Sequence, residues 1–111
     1  ADFLTAFGSG LLGARETLAL GAPTQTYPAF EQALRPDTIV VSVMAVNNEI
    51  GTVTDLVAVS RLVRKLAPRA VLHTDAVPAV CWIDLRTLWP LVDTMALSAH
   101  KFGGPKGVGI L

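Results

Sequence analysis

A nearly continuous apolar run at residues 38–46 (TIVVSVMAV) constrains the fold more than any other feature of the sequence. Its β-branched residues favour a strand, and the absence of alternating polar residues indicates that both faces of this strand are buried. Strands of this kind occur in parallel sheets that carry helices on both faces. The run ends abruptly at Asn47, Asn48 and Glu49, which predict a turn at the carboxyl end of the strand.

An amphipathic helix is predicted next, at residues 56–66. Apolar residues recur there at three- and four-residue spacing, and basic residues lie on the opposite face. We expect Asp55 in the first turn of this helix and Pro68 just after its last turn. A second strand is predicted at residues 70–74. The order strand, helix, strand predicts a right-handed parallel crossover.

Three further elements are predicted with shorter patterns: a helix at residues 28–34, a strand at 93–98 and the start of another strand at 108–111. Residues 1–20 are apolar but interrupted by glycines, so they support a helix poorly and leave the type of element open. The expected fold class is α/β, with a mostly parallel sheet and helices on its faces.

Composition narrows the class of protein. The 111 residues are 51% hydrophobic and only 16% charged, which is too apolar for a disordered segment and unusually apolar for a complete small domain. We therefore expect apolar surface that other parts of a protein cover, and poor solubility of the isolated chain. Residues 1–55 carry a net charge of −4 and residues 56–111 one of +4. Neither half is basic enough to make nucleic acid the expected main partner.

The single cysteine, Cys81, excludes an internal disulfide and favours a reducing compartment, so a cytoplasmic location is expected. The apolar runs are far shorter than the roughly 20 residues of a membrane span. The first residues also lack the basic region of a signal peptide. We expect neither a membrane nor a targeting segment.

Polar residues that can carry chemistry follow three of the predicted strands. They are Asn47 and Asn48, then Asp75, then Ser98, His100 and Lys101. Open α/β sheets bind their ligands beyond the carboxyl ends of the strands. The recurrence of these residues at that position therefore predicts a ligand site.

Each of these residues also has a plain structural interpretation. A lysine at a strand end is usually a solvated surface group, an aspartate there often caps a turn, and paired asparagines favour a turn. The functional interpretation is that Lys101 forms a Schiff base with a carbonyl group and that Asp75 keeps a cofactor's ring nitrogen protonated. Lysine and aspartate on neighbouring strand ends are the pair that pyridoxal phosphate (PLP) requires.

The other reactive residues favour structural interpretations. His73 is interpreted as a core histidine and Cys81 as a buried structural thiol. A metal site is not expected, because His73 and Asp75 have no third ligand at a characteristic spacing. The glycine-rich residues 103–107 precede a strand rather than a helix, so they are weak evidence for a nucleotide site.

Three ordered motifs carry a resemblance to a known family: VNNEIG at residues 46–51, HTDA at 73–76 and SAHKFGGPKG at 98–107. In order and spacing they resemble the cysteine desulfurases of the class V aminotransferase group. The resemblance runs from about residue 27 to residue 111. It implies part of the large domain of a PLP enzyme with the aspartate aminotransferase fold (fold type I). Residues 21–111 are assigned to that incomplete domain, and residues 1–20 stay unassigned.

The resemblance also implies roles for single residues. Lys101 corresponds to the lysine that binds the cofactor covalently, and Asp75 to the partner of the pyridine nitrogen. Ser98 and His100 match positions that hold the cofactor phosphate, and Asn48 matches an asparagine that contacts cofactor and substrate. The implied reaction removes sulfur from L-cysteine. It leaves alanine and an enzyme persulfide, whose sulfur passes to an acceptor protein, as in iron–sulfur cluster assembly.

The resemblance further implies a homodimer and leaves two alternatives open: another class V PLP enzyme, such as a selenocysteine lyase or a transaminase, and a truncated, inactive chain. We expect the isolated 111 residues to be inactive. The family's ring-stacking histidine lies upstream of the matching segment, and its persulfide cysteine and substrate-binding arginine lie downstream. Cys81 precedes Lys101 and does not match the nucleophile. Pro78 stands where the family has a glutamine, and it offers no hydrogen-bond donor.

Overall fold

A mostly parallel sheet organises the chain in the computed structural model, which describes residues 3–7, 10–12 and 26–111. Within these residues, six strands form a sheet in the order β2-β1-β3-β4-β5-β6. They are β1 (Phe3–Phe7), β2 (Gly10–Leu12), β3 (Val40–Met44), β4 (Val71–Asp75), β5 (Thr94–Ser98) and β6 (Gly109–Ile110). The four inner strands are parallel, and the two edge strands, β2 and β6, are antiparallel to their neighbours. The expected α/β class is confirmed.

The helices lie between the strands. They are α1 (Thr26–Ala33), α2 (Leu56–Leu66) and α3 (Leu85–Leu88), with 3₁₀ turns at Trp89–Leu91 and Ala99–Phe102. None of the helices in the described part of the chain has the length and apolar character needed to cross a membrane.

Strand β3 lies at the centre of the sheet, between β1 and β4. Four consecutive side chains, from Val41 to Met44, are buried, so both faces of the strand are covered. This burial confirms the interpretation of the apolar run. The strand is shorter than the apolar run. Before its first residue, the hydroxyl of Thr38 accepts a hydrogen bond from Arg35 N at 3.0 Å, so Thr38 belongs to the preceding turn.

Helix α2 connects β3 to β4 and packs its apolar face on the sheet. Leu56, Val59 and Val63 are buried in the same core as Leu72 of β4. Asp55 was expected in the first turn, but it precedes the helix as its N-cap and accepts a hydrogen bond from Ala58 N at 3.0 Å. The carboxylate satisfies an N–H group that has no partner within the helix.

An ion pair ties α2 to the two strands beside it. Arg64 Nη2 lies 2.8 Å from Asp93 Oδ1, and Asp93 Oδ2 accepts a hydrogen bond from Leu72 N at 2.7 Å. The hydrogen bond from Arg64 holds the pKa of Asp93 below its ordinary value, against the smaller effect of burial. The residue before β5 thus connects to both α2 and β4.

In two regions the structure contains elements that the sequence did not predict. The first twenty residues, where the element was left open, contain β1 and β2, and the interpretation of residues 13–20 lies outside the described residues. Helix α3 was not predicted, since its four residues are too few to show a periodic pattern. The remaining strands and helices occur where they were predicted, with ends displaced by at most two residues.

Candidate active site

A cleft of about 1180 Å³ opens at the carboxyl ends of β3 and β4. One wall is the turn at residues 46–53, which is closed by an antiparallel bridge between Val46 and Val53. The other wall is the series of turns that follows β4, including Pro78, Cys81 and Trp82. This is the position at which the strand order predicted a ligand site.

The two asparagines after β3 have different roles. Asn47 is buried, and its Oδ1 accepts hydrogen bonds from Glu49 N at 2.8 Å and Ile50 N at 3.0 Å. Its main-chain N–H also donates to Thr52 O at 2.9 Å. Asn47 therefore shapes the turn from within. Asn48 is exposed and lines the cleft, so its amide is available to a ligand.

Asp75 is the last residue of β4 and lies in the cleft. Its Oδ1 accepts a hydrogen bond from Val77 N at 2.9 Å, which fixes the carboxylate against the following turn. Its main-chain oxygen binds Ala45 N at 2.9 Å, so the residue is also held to β3. No side chain of the described residues binds its second carboxylate oxygen, which leaves that oxygen for a ligand.

Lys101 lies in the 3₁₀ turn directly after β5, is exposed and lines the same cleft. The thiol of Cys81 donates to the main-chain oxygen of Lys101 at 2.9 Å, which joins the turns after β4 and β5. The turn ends at Gly103, whose φ of 87° favours glycine. A Cβ on Gly104 would come within 2.7 Å of the Cβ of Ala99, so this close approach also requires glycine.

Ser98 and His100 lie beside this cleft rather than in it. Ser98 Oγ and His100 Nδ1 are 2.8 Å apart and bind each other. Ser98 is half-buried at the end of β5, and His100 is exposed. The residues selected from the sequence thus form two groups: Asn48, Asp75 and Lys101 share the cleft, and the Ser98–His100 pair flanks Lys101.

His73 lies deeper in the sheet than the cleft. It is half-buried, and its Nδ1 lies 2.9 Å from Thr94 Oγ1 of β5. Burial lowers the pKa of His73, and the nearby carboxylate of Asp75 opposes this effect more weakly. No three His, Cys, Asp or Glu side chains within the described residues are grouped as metal ligands.

The interpretation of Cys81 as a buried thiol was wrong. Its side chain is exposed and lines the cleft, next to Trp82, which is 84% exposed. Both residues lie in a series of turns, where no periodic pattern relates the sequence to burial. The contribution of these residues to the site was therefore not visible in the sequence.

Comparison with known proteins gives the family. The family model described as aminotransferase class-V matches residues 20–111. The chain belongs to the aminotransferase class-V family. Cysteine desulfurase IscS of Acinetobacter baumannii (strain AYE) is 52% identical over 79 residues, which are 71% of this chain and 19% of that protein. This chain thus spans about a fifth of the length of the curated relatives it matches.

Solved structures of class V relatives share the fold. A NifS-like protein has 43% identity and a TM-score of 0.66, over 74% of this chain and 22% of its own. SspA, solved in complex with cysteine, has 34% identity and a TM-score of 0.61, over 74% of this chain and 23% of its own. The comparisons confirm the resemblance to cysteine desulfurases and the PLP-enzyme fold.

The class V family depends on PLP, and the donor set of the cleft fits this cofactor. A carboxylate oxygen of Asp75 without a partner among the described residues, the amine of Lys101 and the amide of Asn48 converge on one space. PLP needs an acidic partner for its ring nitrogen and an amine for its aldehyde. Pro78 lines the same cleft and offers the cofactor no hydrogen-bond donor.

Proposed function

We propose that this chain is the central part of the large domain of a PLP-dependent cysteine desulfurase. Residues 21–111 would form that part of the domain, and Lys101 would hold the cofactor. The observation that carries the proposal is the convergence of Asn48, Asp75 and Lys101 on one cleft at the carboxyl ends of parallel strands. Relatives named cysteine desulfurase, at 52% identity over the matched residues, support it.

The residues of the cleft have distinct tasks in this proposal. When bound, PLP supplies an electron sink for the carbanion formed at the Cα of an amino acid. The carboxylate of Asp75 binds the protonated ring nitrogen, and its bond to Val77 N keeps that carboxylate in place. The amine of Lys101 would hold the cofactor, and a lysine amine in this cleft could also accept a proton. Asn48 offers its amide to the cofactor and the substrate.

The Ser98–His100 pair would hold the cofactor phosphate. The two side chains bind each other, and both residues lie within the three positions that precede Lys101 in the sequence. A hydroxyl and an imidazole N–H can both donate hydrogen bonds to the oxygens of an anionic phosphate. Neither residue lines the main cleft, so this pair would hold the phosphate from beside Lys101.

The proposed substrate is L-cysteine, and the products are alanine and a persulfide on an enzyme cysteine. The structural relative SspA, solved with cysteine, favours this substrate over other amino acids. Cys81 is not assigned the persulfide role, since it does not match the nucleophile position of the family. The homodimer, the sulfur-acceptor protein and the cytoplasmic location expected above belong to the same proposal.

The experiment that tests the cofactor site is reductive trapping. The protein encoded by the complete reading frame around this chain is incubated with PLP, reduced with borohydride and digested, and the modified peptide is identified by mass spectrometry. We expect a visible absorbance band before reduction and a pyridoxyl group on Lys101 after it. Lys101→Ala should abolish both. Lys106→Ala, which removes an exposed lysine of the same glycine-rich segment, serves as the matched control and should change neither.

Trapping on a different lysine, or no trapping in the wild-type protein, would refute the cofactor assignment. Product analysis then decides the substrate. Alanine and sulfide should form from L-cysteine in the presence of a reducing agent. A preference for selenocysteine would identify the selenocysteine lyase alternative, and an amino-group transfer to a keto acid would identify a transaminase. Release of sulfide or alanine by the isolated 111 residues would refute the alternative of a truncated, inactive chain.

A further inference from the structure

A row of polar side chains crosses the sheet below the cleft. Ser42 of β3 lies directly opposite His73 of β4, and His73 lies directly opposite Thr94 of β5. Residues that are directly opposed in a sheet share one face, so the three side chains lie next to each other. Ser42 is 5% exposed, and His73 Nδ1 is 2.9 Å from Thr94 Oγ1. The imidazole is therefore half-buried and held against β5.

The next position along β4 on this face is Asp75. Side chains of a strand alternate between faces, so residues 73 and 75 share a face and are separated by about 6.6 Å along the strand. A charge at His73 thus lies behind the carboxylate that faces the cleft. Charges at this separation interact more strongly in a partly buried site than in water. His73 itself does not line the cleft.

The charged groups around His73 are few in the described part of the chain. Asp75 raises the pKa of His73, but burial lowers it more, so the neutral form of the imidazole is favoured. Asp93, the residue before β5, is already paired with Arg64 of α2. The residue of β3 that faces His73 is the uncharged Ser42.

We propose that neutral His73 is a positioning residue for the cofactor's ring nitrogen and that its protonation opposes cofactor binding. This inference rests on the function proposed above, in which Asp75 binds the protonated ring nitrogen. An imidazolium at position 73 would compete for the carboxylate and repel that cationic nitrogen. By linkage, bound PLP must make His73 harder to protonate by the same factor by which protonation weakens PLP binding.

The first test compares the affinity for PLP of the complete wild-type protein and of His73→Gln between about pH 8 and about pH 5.5. Glutamine keeps an uncharged polar group opposite Thr94 but does not titrate. Changes shared by both proteins arise from groups other than His73. We expect the wild-type affinity to fall about five- to tenfold more than that of the variant across this range. Parallel pH dependences would overturn the proposal.

The second test needs no variant that must fold. The titration of the His73 imidazole is followed by NMR in the wild-type protein with and without PLP. We expect the midpoint to fall by about one pH unit when PLP binds. An unchanged midpoint, with PLP bound and trapped on Lys101, would overturn this inference alone. Failure of PLP to bind at any pH would overturn it together with the proposed function.

Discussion

Replacement of Asn47 by alanine separates the shape of the site from its chemistry. Asn47 is 7% exposed, and its Oδ1 accepts two main-chain hydrogen bonds within the turn that carries Asn48. Alanine removes the acceptor for both N–H groups. Each lost bond costs about 0.5–1.5 kcal/mol, so we expect Asn47→Ala to lower the free energy of unfolding by about 1–3 kcal/mol.

The neighbouring asparagine provides the matched control. Asn48 is exposed, and no side-chain hydrogen bond holds it within the described residues. Asn48→Ala should therefore leave the free energy of unfolding within about 0.5 kcal/mol of the wild-type value and weaken PLP binding instead. Asn47→Asp should retain most of the stability, because a carboxylate accepts the same two bonds.

Urea denaturation measures these differences. With a slope of about 1–3 kcal/mol/M, a loss of about 2 kcal/mol lowers the midpoint by about 1 M at an unchanged slope. PLP titration of the same proteins gives the second readout. The reasoning would be refuted if Asn47→Ala and Asn48→Ala had equal midpoints, because the two hydrogen bonds would then contribute nothing to the turn.

Three further predictions concern the core, the ion pair and the cleft. Leu72→Ala, at a fully buried position of β4, should lower the free energy of unfolding by about 2–5 kcal/mol. Val71→Ala, at a 42% exposed position, should lower it by less than about 1 kcal/mol. Similar losses for the two variants in urea denaturation would contradict the assigned burial. The pKa of Asp93 is lowered by Arg64, so its stabilising effect is complete at neutral pH and is lost as the pH falls through that lowered value. Asp93→Asn should therefore destabilise the protein at pH 7, and the free energy of unfolding of the variant should fall less than that of the wild type as the pH is lowered. Acid-unfolding curves of equal slope for the two proteins would exclude this role. PLP should slow alkylation of the exposed Cys81, since Cys81 lines the cleft proposed to hold the cofactor, and an unchanged rate would place the cofactor elsewhere.

The elements that could be predicted are those whose environment repeats along the chain. Strand β3 was visible as an unbroken apolar run, because a strand covered on both faces has no polar positions. Helix α2 was visible from its 3.6-residue period. The turn after β4 has no such repeat, so the exposure of Cys81 and its bond to Lys101 could not be predicted.

Several features of the candidate site were also predictable, since polar residues at strand ends interrupt an otherwise apolar pattern. Asn48, Asp75 and Lys101 were selected in this way and share one cleft. The sequence could not distinguish Asn47 from Asn48, as both belong to the same turn. Their difference arises from the fold of that turn, which buries Asn47 and exposes Asn48.

By itself, the sequence determined the class of fold, the succession of central strands along the chain and the chemical types at their ends, because hydrophobic periodicity and turn residues act locally. Only the tertiary structure decided which of these groups meet. The parallel register brings residues 48, 75 and 101 to one edge and places His73 between Ser42 and Thr94. These relations depend on strand pairing between distant segments, which no local pattern records.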